Sequence, residues 1–131
     1  MNLAIDPGTT HSAFVQFHNG KVIDHGHLPN EEIRQVLIGR EYDRVACEMI
    51  ASYGMAVGAS TFETCVWIGR FIEVARVDVE LIFRKDIKLF LCGTMRAKDA
   101  NVRQALLDLI GPQGTKAQPG PTYGIKSHSW A

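Results

Sequence analysis

Two short apolar runs each end in an acid, and this repeated pattern constrains the chain more than any other feature. Leu3-Ala4-Ile5 runs into Asp6-Pro7-Gly8, and Val45-Ala46-Cys47 runs into Glu48. Short apolar runs of this kind read as buried strands, the first stopped by turn residues. A carboxylate at the end of such a strand lies against buried neighbours, where an unpaired charge is costly. One acid in that position is accounted for by a strand cap or by an Arg at the sheet edge. Two of them favour a shared cation. Carboxylate oxygens suit Mg²⁺ or Mn²⁺, and two such ions can flank a phosphodiester, activating water on one side and stabilising the leaving oxygen on the other.

The rest of the chain supplies a scaffold for those strands. His11 to His18 alternates apolar Ala13, Val15 and Phe17 with polar residues, Phe14 breaking the pattern. Asn19-Gly20 provides the two positive-φ residues of a tight hairpin, and residues 21–28 return as a third strand. Asn30 reads as the N-cap of a short helix with Glu31 and Glu32 in its first turn and Gly39 at its end. After Glu48 and a small-residue loop, a helix over 61–77 places Phe62, Val66, Phe71 and Val74 near one face, with Trp67 and Ile68 widening it. Residues 79–83 form a fifth strand, 86–91 a short helix and 99–110 another, whereas Pro112 to Tyr123 is a Pro- and Gly-rich loop. Residues 125–131 read as the first turn of a last helix that is cut off. The expected fold is α/β: a mixed five-stranded sheet, with a three-stranded antiparallel meander and parallel strands, flanked by helices in a single domain over 1–131.

Charge places a partner. The 14 basic and 14 acidic side chains cancel over 131 residues, which argues against a simple basic DNA-coating protein. The cancellation hides an uneven distribution, because residues 1–50 carry four basic and seven acidic side chains and residues 51–131 carry ten and seven. Within the second part, Arg84, Lys85, Lys88, Arg96, Lys98 and Arg103 fall close together. They can neutralise several phosphates of a nucleic-acid backbone, or form a solvated face. No apolar run is long enough to span a membrane, and no signal peptide opens the chain. Cys47, Cys65 and Cys92 are odd in number and widely spaced, so neither a disulfide framework nor a zinc knuckle is indicated. These features place the chain in a reducing cytoplasm.

Leu3-Ala4-Ile5-Asp6-Pro7-Gly8-Thr9-Thr10 and the alternating strand after it resemble the opening of the RuvC-type Holliday junction resolvases, which have the RNase H-like fold. Val45-Ala46-Cys47-Glu48 stands in the place of that family's second acid, and the 61–77 helix with Gly69 resembles its long central helix. Cys92-Gly93-Thr94-Met95-Arg96-Ala97-Lys98-Asp99-Ala100-Asn101-Val102-Arg103 is similar to its Gly-containing loop and Lys-rich helix start. The short form is similar to resolvase relatives of phages, which places the chain in a bacterial or phage-infected cell.

The resemblance implies an Mg²⁺-dependent endonuclease that cuts four-way or branched DNA to a 5′-phosphate and a 3′-hydroxyl. It implies Asp6 and Glu48 as metal ligands, with two ions per site and Mn²⁺ able to substitute. Its remaining ligand positions fall at His128, which can ligate through a neutral imidazole nitrogen, and at Ala131, which cannot and so departs from the family pattern. Asp99 is an alternative third carboxylate, or the N-cap or dipole partner of its own helix. Tyr53 stands where the family inserts a residue at the junction centre, either to stack on a base or to anchor the loop. Lys98 orients a phosphate or lies on the surface. The resemblance also implies a homodimer through the 61–77 helix, which carries more apolar surface than one sheet-facing stripe needs. Two other readings stand beside this one: a non-catalytic junction-binding module, and the nucleotide-binding fragment of an actin-like ATPase, whose phosphate loop has a similar Asp-x-Gly-Thr opening.

Overall fold

The computed structural model describes residues 1–125, so the expected last helix, with His128 and Ala131, lies outside the described residues. Along them run β1 (Asn2–Asp6), β2 (His11–His18), β3 (Lys21–Pro29), α1 (Asn30–Ile38), β4 (Arg44–Met49), α2 (Ala59–Val74), β5 (Val79–Phe83), α3 (Arg84–Cys92) and α4 (Asp99–Ile110). The sheet order is β3-β2-β1-β4-β5. The first three strands form an antiparallel meander, and β4 and β5 run parallel to β1. This is the expected α/β architecture with its mixed five-stranded sheet. The hairpin between β2 and β3 turns at Asn19 and Gly20, with φ of 50° and 75°, the mirror-image geometry that matches the right-handed twist of its strands.

Alternation sorts the central strands into two faces. Leu3, Ile5, Phe14, Val45 and Cys47 point to one side and are buried against Ile33 and Leu37 of α1 and Ile68 and Phe71 of α2. Tyr42 joins this core because its hydroxyl is satisfied there: it accepts from Gln16 Nε2 at 2.8 Å and donates to the Val36 carbonyl at 3.3 Å. The opposite face carries Ala4, Val15, Phe17, Ala46 and Ile82, which line an open groove. There α3 and α4 pack on each other, and α3 packs on β5.

Two expectations are corrected. Asn30 is not an N-cap: Pro29 holds that position without a side-chain cap, and Asn30 is the first, fully buried residue of α1. Its amide reaches back into the loop after Asp6 instead. The Ser12 hydroxyl donates to Asn30 Oδ1 at 2.5 Å and accepts from the Gly8 amide at 3.1 Å, while Asn30 Nδ2 donates to the Gly8 carbonyl at 3.0 Å. The Asn30 backbone amide donates to the Thr10 carbonyl at 2.9 Å. Gly8 is required for this closure, because a Cβ there would lie 2.3 Å from the His11 carbonyl oxygen.

The second correction concerns α2. Its core face is Thr64, Ile68 and Phe71, while Phe62 and Val66, expected on one face with Phe71, are 62% and 61% exposed. The apolar residues of α2 exceed one stripe, and the sheet claims the side on which the smaller Thr64 lets the helix approach; Thr64 returns its hydroxyl to the Ser60 carbonyl at 2.9 Å. Phe62, Val66 and Gly69 lie on the opposite side, with Cys65 and Ile72 on the flank between.

The Ser12–Asn30 network yields a stability prediction. Ser12→Ala strands Asn30 Oδ1 and the Gly8 amide in a buried place, which costs about 1–3 kcal/mol. Urea unfolding measures it, and a loss below about 0.5 kcal/mol would show that the loop holds without the network.

Candidate metal centre and nucleic-acid interface

Register brings the two strand-end acids together. In the parallel pair β1–β4, Ala4 is level with Ala46 and Ile5 with Cys47. The next step sets Asp6 level with Glu48, on strands about 4.8 Å apart, and alternation turns both onto the face of Ala4 and Ala46. Asp6, Glu48, Ile82 and Ile87 line one pocket there.

The electrostatics show what this arrangement costs. Burial, and then repulsion by Glu48, push the Asp6 carboxyl up to about 6, against the pull of Arg84. Glu48 is also raised, first by burial, with Asp99 adding to the rise and Arg84 and Lys88 opposing it. Among the described residues, Glu48 Oε2 is buried without a hydrogen-bond partner. Two partly buried carboxylates, one with an orphaned oxygen, suit a hard divalent cation with oxygen ligands. Cys47 lies between them in sequence but on the core face, and burial followed by the charges of Asp6 and Glu48 pushes its thiol up to about 12.

The chain sends Arg84 and Asp99 to the border of this site. Ile82 of β5 pairs with Glu48, and Arg84 follows two residues later at the start of α3. Its Nη2 donates to Asp99 Oδ1, and the guanidinium beside Asp99 holds that exposed carboxyl below its usual range. Asp99 therefore faces Arg84. Among the described residues no group of three or more His, Cys, Asp and Glu side chains is arranged to hold a metal, and the expected ligand His128 lies outside them.

A basic cleft opens beside the acids. Tyr53, Arg84, Lys85, Lys88 and Met95 line it. The turn from Ser52 to Met55 closes by a 2.9 Å bond from the Met55 amide to the Ser52 carbonyl. At its tip Tyr53 and Gly54 have φ of 49° and 79°. This turn holds Tyr53 61% exposed, with the Lys85 ammonium 5.8 Å from the ring centroid. Arg96 and Lys98 are exposed on the stretch leading into α4, where the Lys98 amide donates to Asn101 Oδ1 at 2.9 Å. Arg103 is placed differently: it is half-buried and donates to Gln113 Oε1 at 2.9 Å, while Gln113 Nε2 donates to the Ile125 carbonyl at 3.2 Å.

The pairing of Arg84 with Asp99 went unseen in the sequence, where Arg84 read only as a basic side chain and Asp99 as a cap or ligand. The available signal was in the strand register: Ile82 is level with Glu48, so the chain leaves β5 for α3 beside the acids and Arg84 opens that helix there. The Ser12–Asn30 bond has no comparable signature, because the two residues are 18 apart and each fits a commoner local role.

No known family model matches the sequence, and no curated protein is similar to it. Solved structures are. A Thermus thermophilus RuvC structure superposes with a TM-score of 0.68 at 16% identity, covering 98% of this chain and 86% of that one. T. thermophilus RuvC in complex with a Holliday junction substrate gives a TM-score of 0.63 at 16% identity, with the same coverage. At that identity the likeness is one of fold, and the chain has the RuvC-like, RNase H-like fold.

Proposed function

We propose that the chain is a divalent-metal-dependent endonuclease acting on four-way or branched DNA. The observation that carries this reading is the Asp6–Glu48 pair set side by side on parallel strands, with a basic, aromatic-tipped cleft at its border. The neighbouring RuvC structure bound to a Holliday junction supports the choice of substrate. Asp6 and Glu48 would hold Mg²⁺ or Mn²⁺, two ions per site, with His128 as the further ligand. When bound, the metal supplies an activated water and stabilises the leaving oxygen.

The chain's own residues do the rest. Lys85, Lys88 and Arg84 neutralise phosphates on the way into the site, and Arg96 and Lys98 extend that path along the approach to α4. Tyr53, exposed on its turn with a cation over the ring, offers an aromatic face to an unpaired base. Arg103 contributes charge and, through Gln113, holds the loop that leads to Ile125. A junction presents two strands for symmetric cutting, which calls for a second copy of the site. The exposed side of α2, with Phe62 and Val66, is the surface proposed to pair two copies.

The second reading, a junction-binding module without catalysis, is favoured by one observation: no third ligand stands beside the acids among the described residues. Asp6→Asn separates the two. Assayed with Mn²⁺ on a synthetic four-way junction, this variant should lose at least about 100-fold in cutting while keeping junction affinity, since it removes charge without volume. Wild-type-like cutting by the variant sinks the metal centre, and equal cutting of linear duplex by the native protein makes it a general nuclease. Junction affinity indifferent to chelator, with no cutting at any metal concentration, selects the binding module.

The raised Asp6 carboxyl yields a linkage test. Its folded value, about 6, lies above the 3.8 of the unfolded chain, so its contribution to stability is present below about pH 4 and lost as pH rises through 6. In chelator at pH 8, Asp6→Asn should therefore be more stable than wild type, by about 1–2 kcal/mol once solvent screening of a partly exposed group is allowed for. The gain should vanish below pH 4. Equal stability of the two proteins at pH 8 would show that neither burial nor the neighbouring Glu48 makes the Asp6 charge costly.

For the dimer, Phe62→Glu should convert a sedimenting dimer to monomer without lowering the melting temperature of the protomer. A dimer that persists moves the interface elsewhere.

A further inference from the structure

The strongest unexplained feature is a mismatch at the border of the acid pair. Among the described residues, Arg84 Nη1 is buried without a hydrogen-bond partner, and so is Glu48 Oε2. A buried donor at the start of α3 and a buried acceptor at the end of β4, each lacking a partner, are an uncommon coincidence in a folded chain. Asp99 explains why they do not close on each other. It draws Arg84 Nη2 outward from the rim, and it is far more exposed than the guanidinium it holds, at 85% against 25%.

Resting on the metal-dependent reading above, we infer that Arg84 is the internal counter-cation of the Asp6–Glu48 pair: it stands in for the divalent ion until metal binds and then faces the phosphate. Asp99 is a positioning residue that acts through it by setting how far the guanidinium leans toward the acids.

Three observations meet in this assignment. The charge of Arg84 reaches both acids, opposing the rise of each. The guanidinium also lines the cleft of Tyr53, Lys85 and Lys88, so it borders the acid pair and the phosphate path at once. Finally, a planar guanidinium presents separate nitrogens, so that Nη2 holds Asp99 while Nη1 remains for another partner. A fixed cation beside a metal site lowers the affinity for a free cation, and the same cation stabilises an incoming phosphate. The two effects have opposite signs. The arrangement disfavours metal on the empty protein and favours it once DNA adds negative charge.

The test is Mn²⁺ binding without DNA, followed by calorimetry, with Asp6→Asn as the blank. Arg84→Gln should tighten Mn²⁺ binding at least about tenfold, since the competing charge is gone, and yet slow junction cutting at saturating Mn²⁺ by at least about tenfold. Asp99→Asn should do the reverse to metal, weakening Mn²⁺ binding about threefold or more as the released guanidinium leans onto the acids. Arg84→Lys keeps the charge and guards against a folding artefact; its Mn²⁺ affinity should stay within about threefold of wild type. Unchanged or weaker Mn²⁺ binding by folded Arg84→Gln overturns the role of Arg84 and leaves the metal centre standing. Wild-type protein that binds Mn²⁺ no better than the Asp6→Asn blank overturns both.

Discussion

Two carboxylates pressed together on neighbouring parallel strands repel each other, and much of the molecule serves to keep them there. Separation would relieve the repulsion, but the β1–β4 ladder prevents it: slipping by one residue would turn Leu3 and Ile5 out of the core and onto the open face. The buried side chains on the far side of the sheet, from α1 and α2, thus hold the acids on the near side. Beyond Asp6 the chain is clamped by Ser12 and Asn30, so β1 ends in a defined direction. The cost of the arrangement remains visible in the raised Asp6 and Glu48 and in the orphaned Glu48 oxygen.

The strands and the acid pair were legible because they depend on local pattern. Alternation over residues 11–18, the Asn-Gly turn and the two acid-terminated runs each constrain a few neighbouring residues, and the β2 and α4 boundaries follow them closely. The hairpin and the parallel β1–β4 pair leave one register that keeps Leu3, Ile5, Val45 and Cys47 inside, and that register makes Asp6 and Glu48 neighbours.

What was not legible depends on choices between equivalent options. α2 is apolar on more than one side, so its 3.6-residue period could not say which side meets the sheet. The pattern groups Phe62 and Val66 with Phe71 and Ile68, whereas packing buries Ile68 and Phe71 with Thr64 and leaves Phe62 and Val66 outside, because a small side chain allows close approach and its hydroxyl can be satisfied within the helix. Asn30 likewise suits a helix start whether it caps or reaches backward, and only a partner 18 residues away decides. The acid site shows the same limit: each member was found by its own context, while the sharing of Arg84 between Asp99 and the pocket is a property of three elements together.

Strand alternation also settles a problem of chemical hardness at the acid pair. Cys47 precedes Glu48, and a thiolate turned to the same side would offer a soft sulfur donor that invites Zn²⁺ or Cu⁺ in place of an oxygen-seeking ion. The pleat turns it into the core, where burial first, and the charges of Asp6 and Glu48 second, push the thiol up to about 12. The core thus keeps the adjacent sulfur protonated with help from the carboxylates that would attract the metal, so Asp6 and Glu48 present oxygen alone.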